Sequence, residues 1–232
     1  MHGEEEINYF YPYLNALTIL IKDEPVQTCV FWDWNGTILN DVEVNCSILN
    51  RLLYKRGLKS LSLNEYREVF RMPILEFYKD IGFQFINETF DDIAAEYFYL
   101  YQNEFGNVQL TKDIEYVLQE IQKKHCYQYI ISATPQHELI EQVDKFKLGK
   151  YFTEIVGNDN YKVASKKHRA IELMKRIGGK NNFLFIGDMD HDHEVAKSIN
   201  AKCILYSRGH QRIRKSSEYI LVEEIEDVLN YL

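Results

Sequence analysis

The chain has 232 residues, enough to bury a full core and to hold one large domain or a domain with an insertion. Its 35 acidic side chains outnumber 27 basic ones, a formal charge of −8 that argues against nucleic acid or an anionic membrane as a main partner, since both need clustered lysine and arginine. An anionic small substrate would need local countercharge from a lysine or a metal ion, and four cysteines without a C-x-x-C pair read as reduced thiols of a cytoplasmic protein.

The acidic start at Glu4–Glu6 is wrong for a signal peptide. The apolar stretch Leu14–Ile21 is shorter than the roughly 20 residues that span a bilayer, so no membrane segment is expected. Residues 1–26 are expected to form an N-terminal appendage, with Pro12 opening a helix; the chain is expected to be a monomer or a homodimer. Thr28–Trp32, β-branched and aromatic, predicts a buried strand that ends at Asp33 and a glycine turn. Val42–Arg56, Leu63–Phe70, Ile74–Ile81 and Phe90–Phe105 then carry helical patterns separated by Gly57, Pro73 and Gly82. With no strand among them, residues 44–107 are expected to form an all-helical cap inserted into a core made of 27–43 and 108–232. Strand patterns at Tyr127–Ser132, Thr153–Gly157, Asn182–Gly187 and Ala201–Tyr206 alternate with helical ones at His137–Phe146, Lys167–Ile177 and Glu194–Ile199. Such alternation predicts an α/β, Rossmann-like, doubly wound parallel sheet. Val222–Leu232 is expected to close the sheet as an amphipathic helix.

In a doubly wound sheet, ligands bind beyond the carboxyl ends of the strands. The predicted strand ends carry Asp33 with Asn35, Gly36 and Thr37, then Ser132, Ala133 and Thr134, then Gly187, Asp188 and Asp192. Lys162, Lys166 and Lys167 lie near the third crossover helix, and Lys166 opens it best after Ser165, a fitting N-cap. The set suits phosphoryl transfer. A carboxylate attacks phosphorus, further carboxylates hold Mg²⁺, and a lysine, a hydroxyl and backbone N–H groups meet the phosphate oxygens.

Asp-Trp-Asn-Gly-Thr at 33–37, the strand ending in Ser132, the lysine near 166 and Gly-Asp-x-x-x-Asp at 187–192 resemble, in that order, the motifs of the haloacid dehalogenase superfamily. The general look is of its phosphoglycolate phosphatase-like branch, although the Lys-Pro pair common there is missing. The resemblance implies a Mg²⁺-dependent phosphatase acting on a small phosphorylated metabolite. It makes Asp33 the nucleophile, Ser132 and Lys166 phosphate ligands, and Asp188 and Asp192 metal ligands with Asp33 and the Asn35 backbone carbonyl. Gly36, Thr37, Ala133, Thr134 and Lys162 would line the phosphate site.

The family usually has an acid/base aspartate where this chain has Asn35, and an amide has no titratable proton near neutral pH. Another group could supply the proton, the substrate could carry a good leaving group, or turnover could be poor. A binding or regulatory role, a phosphotransferase or mutase, and a metal-independent haloacid dehalogenase are the competing readings; the last leaves Asp188 and Asp192 without a purpose. His191, His193 and His210 could fill the gap, with His193 expected at the solvent face. The run Asp190–Glu194 also evokes an HD-type metal site, which its strand-to-helix loop context disfavours. Arg67, Arg71 and Lys79 could reach a substrate carboxylate or a second phosphate, but a solvated cap face is the expected reading; Trp34 and Tyr78 are read as packing.

Overall fold

A computed structural model describes residues 26–158, 166–178 and 181–232. The expected N-terminal appendage (Val26 apart), Lys162 and Ser165 lie outside the described residues.

The sheet grows around one strand that is buried throughout its second half. In β1 (Gln27–Trp32), Cys29, Val30, Phe31 and Trp32 have no exposed surface, so neither face can be polar. The chain continues as β2 (Leu39–Asn40), four helices α1 (Val42–Lys55), α2 (Leu63–Val69), α3 (Ile74–Asp80) and α4 (Phe90–Glu104), then β3 (Gln109–Leu110) and α5 (Ile114–Lys123). After these come β4 (Tyr127–Pro135), α6 (Gln136–Lys145), β5 (Glu154–Asn158), α7 (Lys166–Ile177), β6 (Asn181–Gly187), α8 (Asp190–Ser198), β7 (Lys202–Tyr206) and β8 (Ile220–Val222). Six strands form one parallel sheet in the order β5-β4-β1-β6-β7-β8. Alternate residues of β1 face opposite layers. Val30 and Trp32 pack with Val117 and Leu118 of α5 and Leu139 and Val143 of α6, whereas Cys29 and Phe31 pack with Leu173 of α7 and Val195 of α8. This is the doubly wound sheet that the strand–helix alternation predicts.

α1–α4 have a core of their own, built on Leu49, Leu52, Leu53, Tyr66, Phe77 and Ile93. A seven-residue helix is marginal alone. α2 gains a reciprocal cap between Ser62 and Glu65, and α4 the same between Thr89 and Asp92, each worth about 1 kcal/mol. The chain enters and leaves this helical block through the antiparallel pair β2–β3, Leu39 opposite Leu110 and Asn40 opposite Gln109.

Two expectations are corrected. Val222–Leu232 is not an α-helix: Ile220–Val222 adds the edge strand β8, and Ile225–Tyr231 is a 3-10 helix. The buried residues of that helix, Ile225 and Val228, lie three positions apart, which suits three residues per turn. α8 begins at Asp190, not Glu194, because Asp192 accepts the N–H groups of Asp188 and Met189 and so starts the helix early. α5 is a further helix, between β3 and β4, beyond the expected elements.

Candidate active site

β1 lies between β4 and β6, where the strand order reverses, and a crevice opens beyond such a switch point. Asp33 is the first residue past β1, fixed there by its N–H to the Ile186 carbonyl at 2.8 Å. Its Oδ1 accepts the Trp34 N–H at 2.6 Å and meets Lys166 Nζ at 2.5 Å. Lys166, the first residue of α7, is buried and also reaches Asp192 Oδ1 at 3.0 Å. Asp188 stands just past β6; Oδ1 accepts from Thr37 Oγ1 at 3.2 Å and Oδ2 from the His210 N–H at 2.6 Å. The backbone closes tightly on this carboxylate. A Cβ at Gly36, which has φ +73°, or at Gly209 would collide with it.

One oxygen each from Asp33, Asp188 and Asp192 lies within 4.8 Å of the others, and all three residues are buried. Burial lifts the Asp33 carboxyl well above the usual range; Lys166 opposes this, while Asp192 and Asp188 add to it. Burial also pushes Asp188 up to about 6, against the pull of His210. Burial alone would lower Lys166, but Asp192 and Asp33 hold it above the ordinary lysine value. Three buried carboxylates around one lysine form an all-oxygen, electron-rich donor set, which fits a hard divalent cation.

Asn35 has a different task from a titrating group. Its Nδ2 donates to Asp41 Oδ2 at 2.8 Å and to Tyr101 OH at 3.3 Å, while its Oδ1 accepts from Thr134 Oγ1 at 2.7 Å. Asp41 is completely buried, and its carboxylate also accepts from the Gly36 N–H at 3.0 Å, Asn45 Nδ2 at 2.7 Å and Tyr101 OH at 2.9 Å. His210 Nε2 lies 3.1 Å from Asp41 Oδ1, and His210 Nδ1 lies 2.8 Å from Tyr66 OH. Asn35 therefore helps to satisfy a buried carboxylate that meets a buried histidine.

Burial would raise Asp41, but His210, Asn35 and Tyr101 hold it below its ordinary value. Burial would lower His210, but Asp41, then Asp188 and Asp33, hold it above 6.5. The folded protein thus binds the His210 proton more tightly than the unfolded chain. That stabilisation is fully present below the unfolded value and lost as pH rises through the folded one. In metal-free protein, the urea-unfolding free energy is expected to decline above about pH 6.5, and His210→Phe to flatten the decline. An unchanged slope in the variant would remove His210 as its source.

Of the other residues singled out by sequence, Ala133 and Thr134 line the cavity over Asp33, but Ser132 does not. Ser132 is 1% exposed, and its Oγ is engaged with the N–H and Oγ1 of Thr134 at 3.1 Å. Thr37 is buried behind Asp188. Lys167 is exposed, and Lys162 lies outside the described residues. His191 lines the cavity, burial first and Lys166 second holding it below its ordinary value. His193 does not face solvent: it meets Glu218 at 3.0 Å and packs edge-on against Tyr219. Arg71 and Lys79 are held on the surface by Asp80 and Glu76, whereas Arg67 leaves the helical face to donate to the carbonyls of Arg208 and Gly209. Trp34 is core, its Nε1 on Gln142 Oε1 at 2.7 Å; Tyr78 is buried and also lines the cavity. Asp41, Tyr66 and Tyr101 also line the cavity, and no sequence motif marks them. An aspartate just before a helix reads as its N-cap, yet Asp41 caps nothing with its side chain and turns it to the site instead.

Comparison with known proteins agrees with this architecture. Residues 30–206 match the family model described as haloacid dehalogenase-like hydrolase. The chain is 23% identical over 208 residues to a phosphoglycolate phosphatase of Pseudomonas fluorescens, covering 86% of this chain and 76% of that protein. It is 19% identical over 187 residues to another from Rhodobacter capsulatus, covering 79% and 85%. Among solved structures, Protein Tyrosine Kinase A of Mycobacterium tuberculosis superposes with a TM-score of 0.75 at 15% identity, covering 90% of this chain and 99% of that one. A predicted phosphoglycolate phosphatase from Haemophilus somnus gives 0.69 at 15% identity, covering 88% and 97%. Likeness at that identity speaks for the fold alone. Among the described residues, no helix is long and apolar enough to cross a membrane.

Proposed function

The chain belongs to the haloacid dehalogenase-like hydrolase family, and on that premise we propose that it is a Mg²⁺-dependent phosphatase of small phosphomonoesters. The observation that carries this reading is the buried group of Asp33, Asp188 and Asp192 with Lys166 Nζ 2.5 Å from Asp33. Asp33 is the nucleophile that takes the phosphoryl group as an aspartyl-phosphate, which water then cleaves. Lys166 sets positive charge beside the oxygens on which charge gathers. Asp33, Asp188, Asp192 and the Asn35 backbone carbonyl would hold Mg²⁺, which when bound neutralises phosphate charge. The helical block acts as a cap that keeps water from the reacting atoms. The phosphoglycolate phosphatases among its relatives support the same reaction class.

Phosphate release from p-nitrophenyl phosphate and a panel of phosphorylated metabolites, with Mg²⁺ and with EDTA, tests the reading. Activity is expected only with the metal. Halide released from a haloacid without Mg²⁺ would favour the dehalogenase instead.

A second reading, a family member that binds but turns over poorly, is favoured by Asn35. Asn35→Asp would set two buried carboxylates where the amide now donates to Asp41 at 2.8 Å, and such a pair shares a proton. The variant is expected to raise kcat for alkyl phosphates by about 10²–10⁴, the usual range for an added general acid–base group. Wild-type protein inert toward every ester beside an active Asn35→Asp would establish the second reading.

A further inference from the structure

Beyond Asp33, a cavity of about 220 Å³ runs under the helical block. Its wall is aromatic, with Tyr66, Phe70, Phe77, Tyr78, Tyr97 and Tyr101 all lining it. Among the described lining residues, Lys166 is the only lysine or arginine, and Asp33 and Asp192 already engage it. The helical block turns its own cations elsewhere: Arg56 to Glu88 and Glu96, Arg71 to Asp80, Lys79 to Glu76. His210 is bound to Asp41, and both Asp41 and Glu138 add acid to the lining. A carboxylate on the leaving group would be stripped of water beside Glu138 and the Asp41–His210 pair and, among the described residues, would meet no lysine or arginine free of an acid. An uncharged ring would meet aromatic faces and edges. An apolar cavity of about 150 Å³ holds benzene, so the volume suffices for one ring.

Asn35 points the same way independently. An alkoxide is about as basic as hydroxide, the conjugate base of water with pKa about 15.7, and needs a proton as it leaves. A phenol ionises near pKa 10, and its anion departs without one. We propose that the substrate class, within the phosphatase reading on which this rests, is a small aryl phosphomonoester with an uncharged ring. An Asp33 carboxylate oxygen bonds to phosphorus while the P–O(aryl) bond breaks; its electron pair goes to the aryloxide, which takes a proton from solvent. Water then bonds to phosphorus, the bond to Asp33 breaks and returns its pair to the carboxylate, and the proton of the water leaves to solvent.

The test compares Mg²⁺-dependent kcat/KM for phenyl phosphate, cyclohexyl phosphate, 2-phosphoglycolate and a phosphotyrosyl peptide. Phenyl phosphate is expected to exceed each of the others by at least about tenfold. Cyclohexyl phosphate keeps the apolar body but leaves as an alkoxide; 2-phosphoglycolate brings a carboxylate; the peptide is too large for the cavity. Met72→Lys, which sets an ammonium in the half-buried cavity wall, is expected to narrow the phenyl-to-phosphoglycolate ratio about tenfold. The wild-type panel decides the matter even if that variant does not fold. Preference for 2-phosphoglycolate would overturn the aryl class and leave the phosphatase intact, and parity of the peptide would overturn the small-molecule part. Phosphate release from none of the four would overturn the phosphatase reading and this class with it.

Discussion

Asp33→Asn is expected to lower kcat for phosphate release by about 10⁴–10⁶, the scale of losing a nucleophile, while leaving the metal-free protein at least as stable as wild type. The activity loss follows from chemistry: an amide nitrogen or oxygen does not replace a carboxylate as the phosphoryl acceptor. The stability result follows from the surroundings. Asp33 is buried within 4.8 Å of two other carboxylates, and its carboxyl is held well above the ordinary range. A raised value means that ionisation costs more in the folded state than in the unfolded chain, so this contribution falls as pH rises through the folded value. A neutral amide removes that cost at pH 7, and Lys166 keeps Asp192 at 3.0 Å. Thermal unfolding in EDTA is expected to show Tm unchanged or up to about 4 °C higher, each kcal/mol being worth about 2–4 °C at this chain length. A variant that melts several degrees earlier would show that the Asp33 charge stabilises the fold. Turnover within tenfold of wild type would exclude Asp33 as the nucleophile.

Lys166→Met acts in the opposite sense on stability. It removes the cation that lies between Asp33 and Asp192 and leaves three buried carboxylates without it. Breaking a buried ion pair from one side typically costs about 3–5 kcal/mol, or a Tm lower by about 6–20 °C. The loss should shrink as pH falls. Asp33 and Asp188, both raised by burial, take up protons before ordinary carboxylates do and so relieve the uncompensated charge. Comparing the melting shift at about pH 8 and about pH 5 checks this, and an equal shift at both would argue that lost packing, not charge, is the cause. Lys167→Met serves as the control: the side chain is one position along α7 and exposed, so Tm is expected to move by less than about 2 °C.

What could be read from the sequence was whatever a single strand or helix carries by itself. Asp33, Asp188 and Lys166 each stand at a strand end or helix start, and hydrophobic runs locate strand ends well. Asp192 was legible for the same reason. The sheet followed from the alternation of those runs. Asp41, Tyr66 and Tyr101 were not legible, because Asp41 only precedes α1 and the two tyrosines belong to the helical block, and all three meet at the site only through tertiary arrangement over the strand ends. Ser132 was placed at the end of β4, yet the strand runs on to Pro135 and its register with β5 shifts past Ile131, so Ala133 and Thr134 line the cavity instead. For β8, three residues are too few for a period to declare itself. Asn35 illustrates the limit best. Its departure from the family pattern was visible in sequence, but its bond to Asp41 depends on a partner six residues away folding back beneath it.

The paired strands β2 and β3 give the helical block a distinctive topology. Asn40 and Gln109 face each other across an antiparallel pair, where neighbouring strands lie close enough for a two-residue turn to join them. Everything between could be cut out and the ends sutured with an Asn-Gly hairpin without rerouting the parallel sheet. Chemically the excision is not clean. It would carry off Asp41, Tyr66 and Tyr101, leaving the Asn35 amide nitrogen and the His210 ring without the partners that orient them. The block is a separable module by its covalent path and an inseparable part of the site by its hydrogen bonds, so a transplanted helical block from a relative would need to bring its own acid to the position of Asp41.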